Sequence, residues 1–439
     1  MYRLGRDDRG EIWRLALPIL IGMIPDSIVS LVSMITSYYL GAEALAGTGL
    51  ASYFFFIIGA VSSIFMTGML VAVSQAYGAG DREAIERISG ETLLFSLALS
   101  LLIIVTQPLW LELYVGILSG GQKTAGMIAE TYLAFRLLSV PALMISSVLS
   151  TLYRALEKPW PPNYSAILSS SIAVVLIPSI ALGFIETPFK GIEGLGLASA
   201  LSQYTGLIVY LFFRPPTRIR IAPPSRYLLK VLAVGVPASL ERFVSSVGHN
   251  IYINAVARSG LNALAAHNIG ISIENLIINP VFAISIAASA RVGYHVGSNS
   301  RRDLDHLMRE SLEIGISWMS IATVILLALS LALEFLLEID PEILSLVRTY
   351  LILAAISEIG FGGSLALYGV IRGMGSTWIP LVISSFTVLI LRAFLAQILQ
   401  LFFGIYGVWS TQITDMYGRF LISYAVYRKF RNRLIMKVI

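Results

Sequence analysis

Twelve runs of predominantly apolar residues follow one another along the chain, with only short polar stretches between them. A transmembrane helix needs about 20 apolar residues to cross the hydrocarbon core, and each run is long enough for that. Charged residues make up 13% of the 439 residues, whereas ordinary soluble domains contain roughly 25%. The sequence therefore predicts an all-α polytopic membrane protein without a large soluble domain. The predicted spans are 13–40, 46–76, 88–110, 125–153, 162–184, 192–213, 228–257, 262–296, 309–335, 343–371, 378–400 and 405–427.

A proline-rich basic linker lies between the sixth and seventh runs and divides the chain into two halves. We therefore expect twelve transmembrane helices in two six-helix bundles. The N-lobe is expected at 1–213, the cytoplasmic linker at 214–226 and the C-lobe at 227–439.

The two halves repeat each other at a nearly constant offset. At 219 residues the matching pairs include Pro18 and Pro237, Gly41 and Gly260, and Glu91 and Glu310; at 218 they include Tyr132 and Tyr350, and Arg154 and Arg372; at 213 they include Gly194 and Gly407. Turn-forming residues that coincide in register over most of each half indicate a duplication. Because each repeat has an even number of spans, the repeats run parallel and are related by a pseudo-twofold axis along the membrane normal. Repeats of this kind are typical of secondary transporters.

Lysine and arginine are concentrated on one side of the predicted bundles. The loops and tails on the side of the N-terminus hold 22 of these residues, and the opposite loops hold four. Since cytoplasmic loops carry the excess of basic residues, we expect both termini in the cytoplasm and the protein in the cell membrane. The basic residues then face anionic membrane lipids, which accounts for the pI of about 9.3 without a nucleic-acid partner.

Acidic residues inside the predicted spans are the candidates for function, since a charge at bilayer depth costs roughly 2.5–3.5 kcal/mol on insertion scales. Asp26 follows Pro25 in the first span, and Glu241 lies in the seventh. The repeat-mate of Glu241 is Gly22, one turn from Asp26, so each half carries a carboxylate on its first helix. Glu274, in the eighth span, belongs to a polar stripe that we expect to face a water-filled cavity. Further candidates are Glu358 in the tenth span and Asp415 in the twelfth.

A carboxylate buried without a cation is neutralised either by a proton or by Na⁺, and an ion-coupling site requires this property. We therefore predict that these five carboxylates couple transport to a cation, with Glu241 and Glu274 as the ligands where the cation is Na⁺.

A structural role is the alternative reading of the same residues. Asp26 would then bond to backbone groups freed by the neighbouring prolines, and Glu241 and Glu274 would form salt bridges that hold helices together. The expected partners are Arg242 and Arg392. Arg136, Arg392 and Arg419 are expected to be structural partners or to reach toward the membrane interface.

Motifs for other chemistry are absent from the sequence. It contains no cysteine, which excludes disulfides and thiolate sites. It also contains neither a His-Glu-x-x-His motif nor a Walker A motif, so we expect no enzyme, no resident cofactor and no ATP-driven pump. Any pumping would draw on a gradient of Na⁺ or H⁺.

Four stretches of the sequence carry a family resemblance. They are 73–80 (VSQAYGAG), 235–241 (GVPASLE), 263–269 (ALAAHNI) and 368–375 (YGVIRGMG). Together they resemble the multidrug and toxic compound extrusion (MATE) transporters of the multidrug/oligosaccharidyl-lipid/polysaccharide flippase superfamily. The resemblance implies twelve helices in two lobes, and export of cationic or amphipathic compounds in exchange for Na⁺ or H⁺. By motif, Glu241 falls where the family has its C-lobe cation-binding glutamate.

Other positions depart from the family pattern. The usual aspartate of the first helix would align near Ser33, two turns beyond the aspartate present here. The Asn and Asp of one subgroup's fifth helix are replaced by Ala173 and Ile177. The Asp of another subgroup's tenth helix is replaced by Phe361, with Glu358 one turn away. These departures leave open which cation is used and which lobe binds it.

We therefore predict a cation-coupled antiporter for multidrug efflux that works by rocking of the two lobes, as a monomer with small organic substrates. The nearest alternative is a flippase for lipid-linked oligosaccharides, which the acidic stripe and the twelve spans disfavour. A second alternative is an intramembrane enzyme, which would need a catalytic pair such as Asp26 and Glu241.

Overall fold

The computed structural model describes residues 10–118, 123–300, 303–336 and 340–438. Within these ranges the chain is almost entirely helical and forms no strand. The first half contains α1 (Glu11–Ile21), α2 (Ile24–Tyr39), α3 (Ala42–Ala79), α4 (Arg82–Leu118), α5 (Lys123–Arg136), α6 (Val140–Ala155), α7 (Trp160–Ala181) and α8 (Gly191–Phe212). The second half contains α9 (Arg226–Arg258), α10 (Leu261–Gly297), α11 (Leu304–Leu336), α12 (Pro341–Gly373), α13 (Trp378–Phe386) and α14 (Leu395–Leu434). Five basic residues counted in the charge distribution, Arg3, Arg6, Arg9, Arg301 and Arg302, lie outside the described residues.

These helices supply the twelve predicted membrane spans. Ten helical segments are long and apolar enough to cross a membrane, with α1 and α2 counted together as one and α5 and α6 as another. The segment at 378–434 contains two crossings, because the backbone turns sharply at Gly404 (φ 57°, ψ −142°). The twelfth crossing is α9, whose charged and polar residues lower its hydropathy. The helices extend several residues beyond the apolar runs, since a run marks only the membrane-embedded part of a helix.

Turns at equivalent places in the two halves support the duplication. The first and second spans of each half meet at a glycine in the left-handed region, Gly41 (φ 116°) and Gly260 (φ 111°). Only glycine adopts this conformation without a steric cost from Cβ. The repeat is less exact one helix earlier, because the first half breaks between α1 and α2 whereas α9 runs through Pro237 without a break.

The chain packs into two compact units. The N-terminal unit comprises Pro18–Tyr77 and Asp81–Gly235, and the C-terminal unit comprises Met1–Leu17, Gly78–Gly80 and Val236–Ile439. The units differ from the two sequence halves because each unit includes a short segment from the other half. The first turns of α1 pack with the second half, and those of α9 pack with the first half.

In the C-terminal unit, α12 is the central helix and contacts α10, α11 and α14. Its glycines allow this close approach. A Cβ on Gly362 or Gly369 would collide with the main chain of α11 or α10, at Gly315 and Ser285 respectively. Small residues at helix interfaces serve the same purpose in membrane proteins generally. In the N-terminal unit, α7 packs against α8 and α2, and α8 packs against α5 and α6.

A π-helical segment, Thr387–Phe394, joins α13 to α14. A π-helix adds a residue to each turn and is frequent at functional sites. Here it carries Arg392, whose side chain is largely buried in the C-terminal unit. The π-helical segment therefore places a charged side chain among the residues of the site described below.

Candidate functional site

Four acidic side chains and three arginines of the C-terminal unit follow one another within electrostatic range, and we call this set of seven residues the charge ladder. Its members are Arg372, Glu241, Arg419, Asp415, Arg392, Glu274 and Glu358. They lie on α9, α10, α12, α14 and the π-helical segment. The four carboxylates are those that the sequence singled out in the second half.

The first pair of the ladder is an ion pair between Glu241 and Arg372. Nη2 of Arg372 donates to Oε2 of Glu241 over 2.7 Å, and the glutamate is buried. The expected pairing of Glu241 with Arg242 or Arg392 is wrong. Arg242 is the next residue on the helix, so its side chain points about 100° away and is exposed.

The next carboxylate, Asp415, is bound by two arginines. Nη2 of Arg419, one turn along α14, donates to both of its oxygens over 2.8 and 2.9 Å. Nη1 of Arg392 lies 3.7 Å from Oδ2. Asp415 is completely buried, and the two arginines beside it supply the positive charge that a buried carboxylate requires as a partner. This arrangement confirms the expected structural pairing of Arg419.

Glu274 is held by neutral donors. The hydroxyl of Tyr350 donates to its Oε2 over 2.5 Å, and the amide of Gln412 donates to its Oε1 over 2.9 Å. Arg392 does not bond to it directly but donates to the amide oxygen of Gln412 over 3.2 Å. The nearest guanidinium is thus separated from Glu274 by one side chain.

Glu358 is only 1% exposed, and its carboxyl group adjoins that of Glu274. In the part of the chain that the structure describes, neither of its oxygens accepts a hydrogen bond from a donor. Two ionised carboxylates in contact repel each other, and the repulsion is strong in a buried site. A proton or a metal cation between them removes it.

The distribution of charge in the ladder also singles out the pair of Glu274 and Glu358. Four carboxylates face three guanidinium groups, which leaves one negative charge without a partner in the ladder. Arg372 and Arg419 bond to Glu241 and Asp415 respectively, and Arg392 contacts Asp415 and Gln412. The pair of Glu274 and Glu358 is therefore the part of the ladder to which, among the described residues, no guanidinium is directly bonded.

Aromatic and polar side chains surround this carboxylate pair. His267 is fully buried and lies edge-on to the rings of Tyr350 and Tyr252, with centroids 5.1 and 5.8 Å apart. Arg392 lies over the Tyr252 ring at 4.7 Å. Within the described residues, both ring nitrogens of His267, the Tyr252 hydroxyl and the Trp409 indole nitrogen have no hydrogen-bond partner. The surroundings of the carboxylate pair are therefore polar as well as aromatic.

Tyr350, Gln412 and His267 were not among the residues predicted for the site. His267 lies in a stretch that carries the family resemblance, and Tyr350 is part of the repeat, but neither observation indicates a contact with a carboxylate. Polar residues within apolar spans are the one signal that all three share.

The five predicted coupling residues do not form one group. Glu241 and Glu274 bond to different partners, so the structure does not bring them together as ligands of one Na⁺. Among the described residues, no three His, Asp or Glu side chains are arranged to hold a metal ion. Asp26 belongs to the N-terminal unit and the other four belong to the C-terminal unit.

In the N-terminal unit, Asp26 lies in the first turn of α2, and its side chain is exposed. It is within electrostatic range of Arg154. The carboxylate does not cap α2. The carbonyl of Pro18 accepts a 2.6 Å hydrogen bond from the amide of Asn163 in addition to the bond from the backbone N–H of Gly22.

Three of the positions that depart from the family pattern hold apolar side chains. Ala173 and Ile177 are buried in α7, and Phe361 packs edge-on against Phe282 at 6.0 Å. These positions hold no acidic group, whereas Glu358, one turn before Phe361, lies in the charge ladder.

Comparison with known proteins agrees with this architecture. The family model described as MatE matches residues 18–178 and 237–398, one block in each half. A probable multidrug resistance protein NorM from Thermotoga maritima is 24% identical over 422 residues, which cover 94% of this chain and 90% of that protein. The multidrug export protein MepA from Staphylococcus haemolyticus is 25% identical over 438 residues, which cover 95% of this chain and 93% of that protein.

Solved structures share the fold. The Vibrio cholerae MATE transporter VcmN in its bent form superposes with a TM-score of 0.87 and 19% identity, covering 97% of this chain and 96% of that one. An outward-facing multidrug resistance MATE family transporter superposes with a TM-score of 0.89 and 22% identity. The superposition covers 98% of this chain and 97% of that one.

Proposed function

Because the chain belongs to the MatE family of membrane transporters, we propose that it is an antiporter that exports cationic or amphipathic organic compounds in exchange for Na⁺ or H⁺. Relatives that match nearly its whole length are named multidrug resistance or multidrug export proteins. Together these findings support multidrug efflux. The charge ladder supports the coupling to a cation.

The carboxylate pair of Glu274 and Glu358 is the proposed coupling site. The observation that carries this assignment is the burial of two adjoining carboxyl groups, one of which accepts no hydrogen bond in the described part of the chain. One cation is bound there as a transported substrate. Glu241 and Asp415 already have arginine partners, and in this mechanism they hold the helices around the site.

Cation binding and export are linked through two conformations of the transporter. We infer that the two packing units rock and thereby expose the site alternately to each side of the membrane, with both termini in the cytoplasm. If the cation weakens substrate binding, the substrate must weaken cation binding by the same factor. A downhill flow of cations then drives the compound outward.

The proposal is tested by dye efflux from proteoliposomes. The purified protein is reconstituted, a fluorescent cationic dye is loaded, and either a Na⁺ gradient or a pH gradient is imposed. We expect one of the two gradients to drive efflux in the wild type. Glu274→Gln and Glu358→Gln should abolish this driven component.

Glu313→Gln is the matched control, since Glu313 is an exposed glutamate on α11 outside the ladder. It should leave driven efflux unchanged. Driven efflux at the wild-type rate in both Glu274→Gln and Glu358→Gln would show that the coupling site lies elsewhere. Wild-type protein that moves no dye under either gradient would argue against the antiporter itself.

A further inference from the structure

The exchanged first turns of α1 and α9 are each held by a buried glutamate, and the two glutamates are repeat-mates. Glu91 lies on α4 and Glu310 on α11, the equivalent helices of the two halves. Each binds backbone N–H groups at the start of the first helix of the other sequence half. Neither residue belongs to the charge ladder, and coupling chemistry does not account for either one.

Glu91 is fully buried in the N-terminal unit and caps the start of α9. Its Oε2 accepts hydrogen bonds from the backbone N–H of Ser225 over 2.9 Å and of Leu228 over 3.2 Å. Its Oε1 accepts from the Ser225 hydroxyl over 2.7 Å. A carboxylate at a helix N-terminus satisfies free N–H groups and interacts favourably with the helix dipole.

Glu310 makes the equivalent contact in the C-terminal unit. It is 7% exposed, and its Oε1 accepts a hydrogen bond from the backbone N–H of Ile12 over 3.0 Å. The neighbouring Glu11 strengthens the attachment, because its carboxylate accepts hydrogen bonds from Arg291 on α10. The first turn of α1 is thus held through both backbone and side chain.

The apolar contacts of the exchanged turns repeat as well. Ile12 and Leu15 of α1 are buried in the C-terminal unit, and their repeat-mates Val231 and Val234 of α9 are buried in the N-terminal unit. Each helix then passes into the other unit at almost the same repeat position, after Leu17 in α1 and after Gly235 in α9. Two helices therefore connect the units in the same way.

We propose that Glu91 and Glu310 are positioning residues for the transport movement, an inference that rests on the proposed function. Each one fixes the start of a helix to one unit, while the rest of that helix moves with the other unit. The two exchanged helices thereby carry the motion of each unit into the other. Without its glutamate, a first turn detaches from the unit that holds it, and the balance between the two conformations changes.

The test is a distance measurement between the units, which does not depend on transport. The chain has no cysteine, so labels can be placed without removing native thiols. Spin labels at Phe184→Cys in the N-terminal unit and Leu261→Cys in the C-terminal unit occupy side chains that are 77% and 85% exposed. Pulsed electron paramagnetic resonance then reports the populations of the two conformations in liposomes with and without Na⁺ at two pH values.

We expect Glu91→Leu and Glu310→Leu each to change the ratio of the two conformations by about tenfold, the size that the loss of charge-assisted hydrogen bonds predicts. Both changes should have the same direction, because the repeats are parallel. Glu91→Gln and Glu310→Gln keep one acceptor oxygen and should give smaller shifts. The maximal efflux rate and the apparent substrate KM should both change in these variants, because the fraction of the substrate-binding conformation changes.

Glu313→Leu, on the same helix as Glu310 but exposed, is the control and should leave the ratio unchanged. If the leucine variants do not fold, the ratio of the two conformations is measured in the glutamine variants and in Ser225→Ala instead. Ser225→Ala removes only one donor to Glu91. Variants with lowered thermal stability but wild-type distance populations would overturn the proposal and leave a purely structural role. A wild-type distance distribution that neither cation changes would overturn the rocking mechanism as well, whereas failure of dye efflux alone would count only against the proposed function.

Discussion

The two units share a scaffold but differ in buried charge. Both contain the glycine turn after the first span and a glutamate that caps an exchanged helix. The charge ladder, in contrast, occurs only in the C-terminal unit of the described chain. At the repeat positions of Glu274, Glu358, Asp415 and Arg419, the N-terminal unit has Phe55, Val140, Ser202 and Gly206. The described parts of the two units thus share the packing of these turns and caps, whereas the buried network of carboxylates and arginines lies in the C-terminal unit.

One element of the ladder does have a counterpart. Arg154 and Arg372 are repeat-mates, and each lies near a carboxylate of its own unit. In the C-terminal unit this is a buried ion pair, whereas in the N-terminal unit Asp26 is exposed and lies only within electrostatic range of Arg154. Repeat-mates thus provide matched controls, because a change in one copy can be compared with the same change in the other.

The largest expected effect is on coupling. In the double variant Glu274→Gln/Glu358→Gln, the apparent linkage between cation and substrate should fall by about 5- to 150-fold, the range of typical coupling free energies. The measurement is substrate affinity at saturating and at zero cation concentration. Phe55→Leu/Val140→Leu, at the repeat positions, should leave the linkage intact, and equal losses in both variants would contradict a one-sided site.

A large loss of stability is expected from Asp415→Asn. This change leaves Arg392 and Arg419 without their shared carboxylate in a buried environment, which costs about 3–5 kcal/mol. Thermal unfolding in detergent, followed by tryptophan fluorescence, measures the loss. Ser202→Ala at the repeat position should have little effect, and an Asp415→Asn protein as stable as the wild type would show that the arginines do not depend on Asp415.

A smaller effect is expected from Tyr350→Phe. The empty Glu274 carboxylate loses one donor, worth about 1.5–3 kcal/mol when the acceptor is charged. Binding of a cation to the site should therefore tighten by roughly tenfold or more. The cation concentration that gives half-maximal efflux measures this change. Tyr132→Phe, its repeat-mate, should not alter it, and weaker cation binding in Tyr350→Phe would mean that the hydroxyl is itself a ligand.

The smallest effect is expected from Asp26→Asn. In the proposed mechanism the cation binds to Glu274 and Glu358 in the other unit, so driven efflux should stay close to the wild-type rate. The same dye assay measures it, with Glu241→Gln in parallel. A loss of driven efflux in Asp26→Asn that equals the loss in Glu358→Gln would place a second coupling site in the N-terminal unit and remove the contrast between the copies.

Much of the fold could be predicted from the sequence because apolar length and turn glycines are local signals. The twelve spans, the turns at Gly41 and Gly260 and the acidic candidates of the second half all follow from such signals. The partners of those acids could not be predicted. Arg372 lies far from Glu241 in the chain, and its contact depends on how α9 and α12 pack. The sequence shows Glu91 and Glu310 only as repeat-mates. Their capping of helices from the other half could not be predicted, because such a contact leaves no local pattern in the sequence.

The π-helical segment at Thr387–Phe394 also bears on how this copy of the duplicated bundle tolerates change. Deleting a single residue there would let the segment close into a regular α-helix without breaking the span. The residues on either side would keep their faces, because the segment differs from an α-helix by one extra residue, but Arg392 lies within it and would lose the position that brings it beside Asp415. A one-residue deletion in these two turns should therefore preserve the span but remove the contact of Arg392 with Asp415, and a deletion scan would show that selective loss.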